Sequence, residues 1–261
     1  MTGILPGGGP EPRAFSLEGR SAVVTGARSG IGRAIALGLA EAGARVVIWG
    51  HADNLTETAG LLAGAGKLLR TVHADLGDTE LVDRACDELL EEHRIDILVN
   101  NAGIIRRGPA LDSPRRDWDD VMAVNAGAVL QLSQRLARPM LERGSGKVIN
   151  IASMLSFQGG INVVAYTASK HAVAGLTRAL ANEWAGRGVQ VNAIAPGYIR
   201  TDNTAALQRD PTRYQAILDR IPAGRWGDPS DLVGPAVFLA STASDYVNGH
   251  VLAVDGGWMG R

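Results

Sequence analysis

Three glycines in eight residues, Thr25-Gly26-Ala27-Arg28-Ser29-Gly30-Ile31-Gly32, separate a short β-branched run from a segment of helical periodicity. A strand that turns sharply into a helix leaves unpaired N–H groups and a partial positive charge at the helix start, and glycines let a pyrophosphate approach the backbone closely. The order strand, glycine loop, helix therefore predicts the first unit of an open α/β sheet that holds a dinucleotide at its carboxyl edge. Away from an N-terminal strand, the same loop would read as a structural turn.

The rest of the chain repeats that alternation. Apolar, β-branched runs at 22–25, 45–49, 69–74, 95–100, 147–151, 189–195 and 250–254 predict seven strands, and helical spacing recurs at 31–42, 79–93, 118–141 and 166–187. Strands alternating with about six helices predict an α/β fold: a doubly wound parallel sheet with helices on both faces. No repeat or linker divides the chain, so residues 16–261 are expected as a single catalytic domain after a Gly/Pro-rich flexible tail, 1–15. The polar, Arg-rich and aromatic stretch 197–229 breaks the rhythm after the sixth strand and is expected to be a substrate lid.

Composition removes several classes. With 26 basic against 27 acidic residues, no charge excess draws the chain to nucleic acid or an acidic membrane surface. No stretch approaches the roughly eighteen apolar residues of a membrane span, and the N-terminus lacks a signal-peptide pattern. The one cysteine, Cys86, rules out an internal disulfide, and the five histidines are scattered, so no metal site is expected. A cytoplasmic enzyme is the simplest reading.

Two segments follow later strands where a dinucleotide would need them. Asp75 could accept a hydrogen bond from an adenine amino group or cap the next helix. In Asn100-Asn101-Ala102-Gly103, small residues leave room for a ribose, and Asn101 could tie adjacent strands together. The second strand ends Trp49-Gly50-His51, with Asp53 beyond, rather than in the carboxylate expected of a reader of ribose hydroxyls. Arg28 and His51 could instead meet a 2′-phosphate.

The chemistry is concentrated in Ser153, Tyr166 and Lys170. The chain has four tyrosines and three lysines, yet Tyr166 and Lys170 stand four apart at the start of a helix and so share a face. Oxidising an alcohol with a tyrosine requires its pKa to fall from about 10 by roughly two to three units. An ammonium about 5 Å away contributes roughly 3 kcal/mol at an effective dielectric of about 20. Lys170 is thus expected to make Tyr166 a usable base, Ser153 to hold the reacting oxygen, and Asn125 to link Lys170 to a water chain. Singly, each of these is more simply a core, turn or surface residue. No G-x-S-x-G elbow surrounds any serine, which disfavours a serine hydrolase.

Taken together, residues 25–32, 100–103, Asn125, Ser153, Tyr166-Thr167-Ala168-Ser169-Lys170 and Pro196-Gly197 resemble the short-chain dehydrogenase/reductase family across the chain from residue 16. The resemblance implies a single Rossmann-type domain, catalytic Asn125, Ser153, Tyr166 and Lys170, and commonly a homotetramer. It implies a dinucleotide held by 25–32 without Ala27, by His51, Asp75 and Leu76, by Asn101, Ala102 and Gly103, by Tyr166 and Lys170, and by Pro196, Gly197, Ile199 and Thr201. Segments such as Asn100 to Arg107 and Leu218 to Gly227 resemble the branch acting on the sugar acids 2-dehydro-3-deoxy-D-gluconate and 2-deoxy-D-gluconate. That branch leans to NAD, which makes NAD the expected cofactor and NADP the alternative. A sugar-acid carboxylate could pair with Arg106 or Arg107, and Gln158 and Asn203 could read hydroxyls, alongside Ser153 and Tyr166. The competing expectations are a reductase of another carbonyl, such as a 3-oxoacyl thioester or gluconate, and a non-catalytic nucleotide-sensing protein.

Overall fold

A strand covered by helices on both faces must be apolar on both, and β1 (Ser21–Thr25) is buried at every position. Its alternate residues feed opposite cores: Val24 packs with one cluster and Val23 with the other. The computed structural model describes residues 12–51 and 55–261. Six further strands join β1 in one sheet: β2 (Arg45–Gly50), β3 (Leu68–His73), β4 (Ile97–Asn100), β5 (Gly146–Ile151), β6 (Val189–Pro196) and β7 (Val251–Val254). The order is β3-β2-β1-β4-β5-β6-β7, and every neighbouring pair is parallel. The expected seven-stranded, doubly wound parallel sheet is the one observed.

Helices α1 (Gly30–Glu41), α2 (Thr56–Gly64) and α3 (Thr79–Glu92) follow the first three strands. Then come α4 (Arg115–Met122), α5 (Ala128–Arg143), α6 (Val164–Trp184), α7 (Ala205–Arg209), α8 (Pro211–Leu218) and α9 (Val233–Ala240). One core joins Ile35 and Leu39 of α1, Leu62 of α2 and Leu239 of α9 to the sheet. The opposite core does so with Leu89 of α3, Leu136 and Met140 of α5 and Trp184 of α6. Each such side chain contributes about 1.5–3 kcal/mol when fully buried. Chain order reverses at β1, with β2 on one side and β4 on the other, so a crevice opens at their carboxyl ends.

Three segments differ from the sequence reading. The helix expected over 118–141 is α4 and α5 joined by a π-helical turn, Ala123–Gly127. Periodicity runs through that turn unbroken, which is why the sequence hides it. The segment 197–229, in which the sequence marks no helix, contains α7 and α8; Asp210 caps α8 by accepting from Arg213 N at 3.0 Å, with Pro211 at the first helical position. Pro12–Phe15, assigned to the flexible tail, form a 3-10 turn in which the Phe15 ring lies 6.4 Å from that of Phe238. The remainder of that tail, 1–11, lies outside the described residues. Among the described residues, no helix is long and apolar enough to cross a membrane.

Candidate active site

The glycine loop after β1 is built for close approach. Gly26 has φ +66°, and a Cβ there would stand 2.8 Å from Ala102 Cα; at Gly32 a Cβ would collide with the Gly26 carbonyl. Only glycine fits either place. Thr25 is not among the residues that line the cleft; its Oγ1 accepts from the backbone N–H groups of Asn101 and Ala102, both at 3.0 Å. Asn101 Nδ2 donates to Thr25 O at 2.8 Å and Gly26 O at 3.2 Å, tying β1 to β4 as expected. Ser29, at the N-cap of α1, makes no side-chain cap bond; its Oγ donates to Asp202 at 3.2 Å, and Arg28 lies 3.5 Å from the same carboxylate oxygen.

These groups line a cleft of about 930 Å³, at the upper end of the usual range for ligand pockets. Arg28, Ser29, Gly30, Ile31 and Gly32 border it beside the start of α1; His51, Asp75 and Leu76 border it beyond β2 and β3. His51 Nε2 is 3.5 Å from Asp75 Oδ2. Asp75 does not cap α3: its Oδ1 accepts from Gly77 N at 2.8 Å, and Asp78 is the cap, accepting from Leu81 N at 2.9 Å. Asp53 lies outside the described residues. Asn101, Ala102 and Gly103, and across the cleft Pro196, Gly197, Ile199 and Thr201, complete the wall. Glycine cradle, open helix start and cleft size together fit a dinucleotide.

Ser153, Tyr166 and Lys170 meet at the other end of the same cleft. Ser153 follows β5, and its Oγ accepts from Leu155 N at 3.1 Å. Tyr166 and Lys170 occupy successive turns of α6, with Nζ 5.5 Å from the centre of the phenol ring. Lys170 is buried, and Nζ donates to Ile151 O at 2.6 Å. Burial lowers its pKa to about 8. Here the structure corrects an expectation: burial raises the Tyr166 pKa, and what opposes it is the Ser153 hydrogen bond and then the charge of Arg107, not that of Lys170. Desolvating a phenol disfavours its ionised form more strongly than these partners favour it.

Asn125, fully buried in the π-turn, reaches neither the cleft nor Lys170 with a hydrogen bond. Its Oδ1 accepts from Ile104 N at 2.8 Å, and its Nδ2 donates to Ile104 O at 2.9 Å and Ser169 Oγ at 3.1 Å. A Cβ on Gly103 would lie 3.3 Å from Asn125 Oδ1 and 3.9 Å from Lys170 Nζ, so both side chains close around that glycine.

The residues proposed to read substrate separate into two sets. Arg106 lines the cleft, facing Asp117 at 3.9 Å and Asp120 at 3.8 Å, and Asn203 lines it too. Arg107 instead crosses its mouth, Nη2 donating to Asn203 O at 3.1 Å. Gln158 is drawn into an aromatic cluster, accepting from Trp258 Nε1 at 3.4 Å. There Tyr198 packs edge-on to Trp226 and Trp258, Tyr214 stacks on Trp226 at 5.3 Å, and Arg220 covers Trp258 at 3.9 Å. Sequence reasoning missed Asp202 and Val124, which line the cleft; the position of Asp202 next to Thr201 was the available signal.

One cleft holds both the glycine cradle and the group Ser153, Tyr166 and Lys170, and the chain belongs to the short-chain dehydrogenase/reductase family. The family model described as enoyl-(acyl carrier protein) reductase matches residues 26–259. The 2-dehydro-3-deoxy-D-gluconate 5-dehydrogenase of Bacillus subtilis (strain 168) is 56% identical over 95% of this chain and 98% of its own. A Beutenbergia cavernae protein, provisionally named an NAD(P)-dependent gluconate 5-dehydrogenase and solved with NADP at low occupancy, is 58% identical with TM-score 0.93 over 95% of this chain and all of that one. An Agrobacterium tumefaciens structure, provisionally a 2-deoxy-D-gluconate 3-dehydrogenase with bound NADP, is 54% identical with TM-score 0.90 over 95% and 99%.

Proposed function

We propose that this chain moves a hydride between a nicotinamide dinucleotide and a secondary alcohol or ketone of a sugar acid, with 2-dehydro-3-deoxy-D-gluconate as first candidate and 2-deoxy-D-gluconate as second. The observation that carries the chemistry is Tyr166, lining the same cleft as Ser153 and backed by Lys170, with a glycine cradle at the cleft's other end. The relative at 56% identity supports the substrate class.

The bound dinucleotide supplies the hydride acceptor or donor. In oxidation, Tyr166 Oη takes the hydroxyl proton, and in reduction it returns it, while the Ser153 hydroxyl holds the reacting oxygen. Lys170 keeps a positive charge beside the phenol and is placed to bond a ribose. Asn125 acts through the backbone at Ile104, and not through a direct contact with Lys170. Arg106, in the cleft wall, is the nearer candidate for a substrate carboxylate. Arg107 joins the rim to the segment 197–229, which serves as the lid.

For the cofactor, NAD remains proposed beside NADP. Among the described residues, no carboxylate directly follows β2, while Arg28 and His51 flank the same part of the cleft. The NADP of two similar structures supports use of the phosphorylated form. A homotetramer in the cytoplasm completes the proposal. Gluconate is the alternative to both deoxy acids, favoured by the relative named for it.

The test is absorbance at the reduced-nicotinamide band, with NAD and NADP each offered against 2-dehydro-3-deoxy-D-gluconate, 2-deoxy-D-gluconate, gluconate and unrelated alcohols. Turnover of either deoxy acid supports the reading. Turnover only of unrelated alcohols discards the sugar acid, and dinucleotide binding without any turnover favours a sensor.

A further inference from the structure

The helix that carries Tyr166 and Lys170 also carries a buried hydroxyl that the chemistry above leaves unused. Ser169 has no exposed surface; its Oγ donates to Tyr166 O at 2.7 Å and accepts from Asn125 Nδ2 at 3.1 Å. A hydroxyl has one hydrogen, and here Tyr166 O takes it. Toward Asn125, Ser169 can then act only as an acceptor.

That restriction decides which way the Asn125 amide faces. Nδ2 must point at α6, which leaves Oδ1 for Ile104 N and the second Nδ2 hydrogen for Ile104 O. Flipped, the amide would set its oxygen against the Ile104 carbonyl and its N–H against the Ile104 N–H. With Asn125 fully buried, no solvent makes good either loss.

We infer that Ser169 is a positioning residue for the reaction: it locks the Asn125 amide and so fixes Ile104, next to Gly103 and two residues before Arg106, against the helix of Tyr166 and Lys170. The chain of contacts runs from the π-turn to both walls of the chemical end of the cleft. Ser169→Ala would break it at one atom and leave a buried N–H of Asn125 unpaired.

The inference rests on the dehydrogenase reading for its kinetic arm and on the free chain for its second arm. Ser169→Ala is expected to lower kcat about 10-fold, the effect of one hydrogen bond of roughly 1.4 kcal/mol, with the dinucleotide KM unchanged. Ser169→Thr, which keeps the hydroxyl, restores it, and Asn125→Ala combined with Ser169→Ala is no slower than Asn125→Ala alone. By hydrogen exchange, Ser169→Ala is expected to lower protection of the Ile104 amide about 10-fold while that of Val23 in β1 is unchanged. Unaltered Ile104 protection, or loss only in step with Val23, overturns the inference. If the parent protein turns over nothing with NAD or NADP, the dehydrogenase reading fails, and the exchange arm alone decides whether Ser169 holds Ile104.

Discussion

Lys170 Nζ stands 5.5 Å from the centre of the Tyr166 ring, yet its short hydrogen bond goes to the Ile151 carbonyl, 2.6 Å away. The ammonium is held by the end of β5 rather than by the phenol. The strand edge therefore sets where the charge sits.

That placement predicts a pH dependence. Burial lowers the Lys170 pKa to about 8 while raising that of Tyr166, so above pH 8 the buried ammonium beside the ring is lost while the phenol is still protonated. A pH–rate profile of oxidation should rise toward pH 8 and flatten beyond it, and Lys170→Met should lower kcat by about 10²–10⁴-fold. The same shift has a stability signature. Between about 8 and 10.5 the unfolded chain holds the Lys170 proton and the folded chain does not, so this residue's contribution makes stability rise with pH across that window. Denaturant melts of Lys170→Met should lack that rise.

Ser153 and then Arg107 are the groups that oppose the burial-driven rise of the Tyr166 pKa. Ser153→Ala should move the rising limb of the oxidation profile to higher pH and lower kcat by about 10²-fold. Arg107→Met should shift the limb in the same direction by less, whereas Arg106→Met should leave the limb in place and raise the sugar-acid KM. The three profiles, measured side by side, separate proton chemistry from carboxylate recognition.

Gly26→Ala tests the cradle. Its φ of +66° and the 2.8 Å approach to Ala102 Cα leave no unstrained place for a methyl group. The variant should lose about 1–3 kcal/mol of stability, seen as a lower thermal midpoint, and bind the dinucleotide more weakly by fluorescence titration.

Trp226 is fully buried between Tyr198 and Tyr214. Trp226→Ala should destabilise by about 3–5 kcal/mol where the loss is fully transmitted. Because the cluster joins α8 to the C-terminal turn, limited proteolysis should cut at 205–218 earlier than elsewhere.

The strands could be read almost to the residue because a parallel sheet buried on both faces forces β-branched runs of a particular length, as in Val23-Val24 and Val46-Val47-Ile48. The glycine loop was legible from its place between a strand and a helix, and Ser153, Tyr166 and Lys170 from their order and spacing; the two sets line one cleft. What stayed hidden was set by three-dimensional competition. Distance alone makes Lys170 the group that tunes Tyr166, whereas burial, which no sequence shows, sets the direction. α8 is not marked by its periodicity, because polar, arginine and aromatic residues interrupt it; Asp210-Pro211 is the helix-start signal that the sequence does offer. Ser169 gave no warning, since a serine in mid-helix reads as neutral until its hydrogen bonds are seen.

The π-turn at Ala123–Gly127 means that the helical run from Arg115 to Arg143 contains one residue more than a plain α-helical path would use. A deletion of one residue at this point would let the run close into regular helix, turning everything before it by about 100° relative to α5. Asn125 would then swing off Ile104 while the sheet and both cores kept their partners. A one-codon deletion at this turn would thus leave the fold intact and its cleft mis-set.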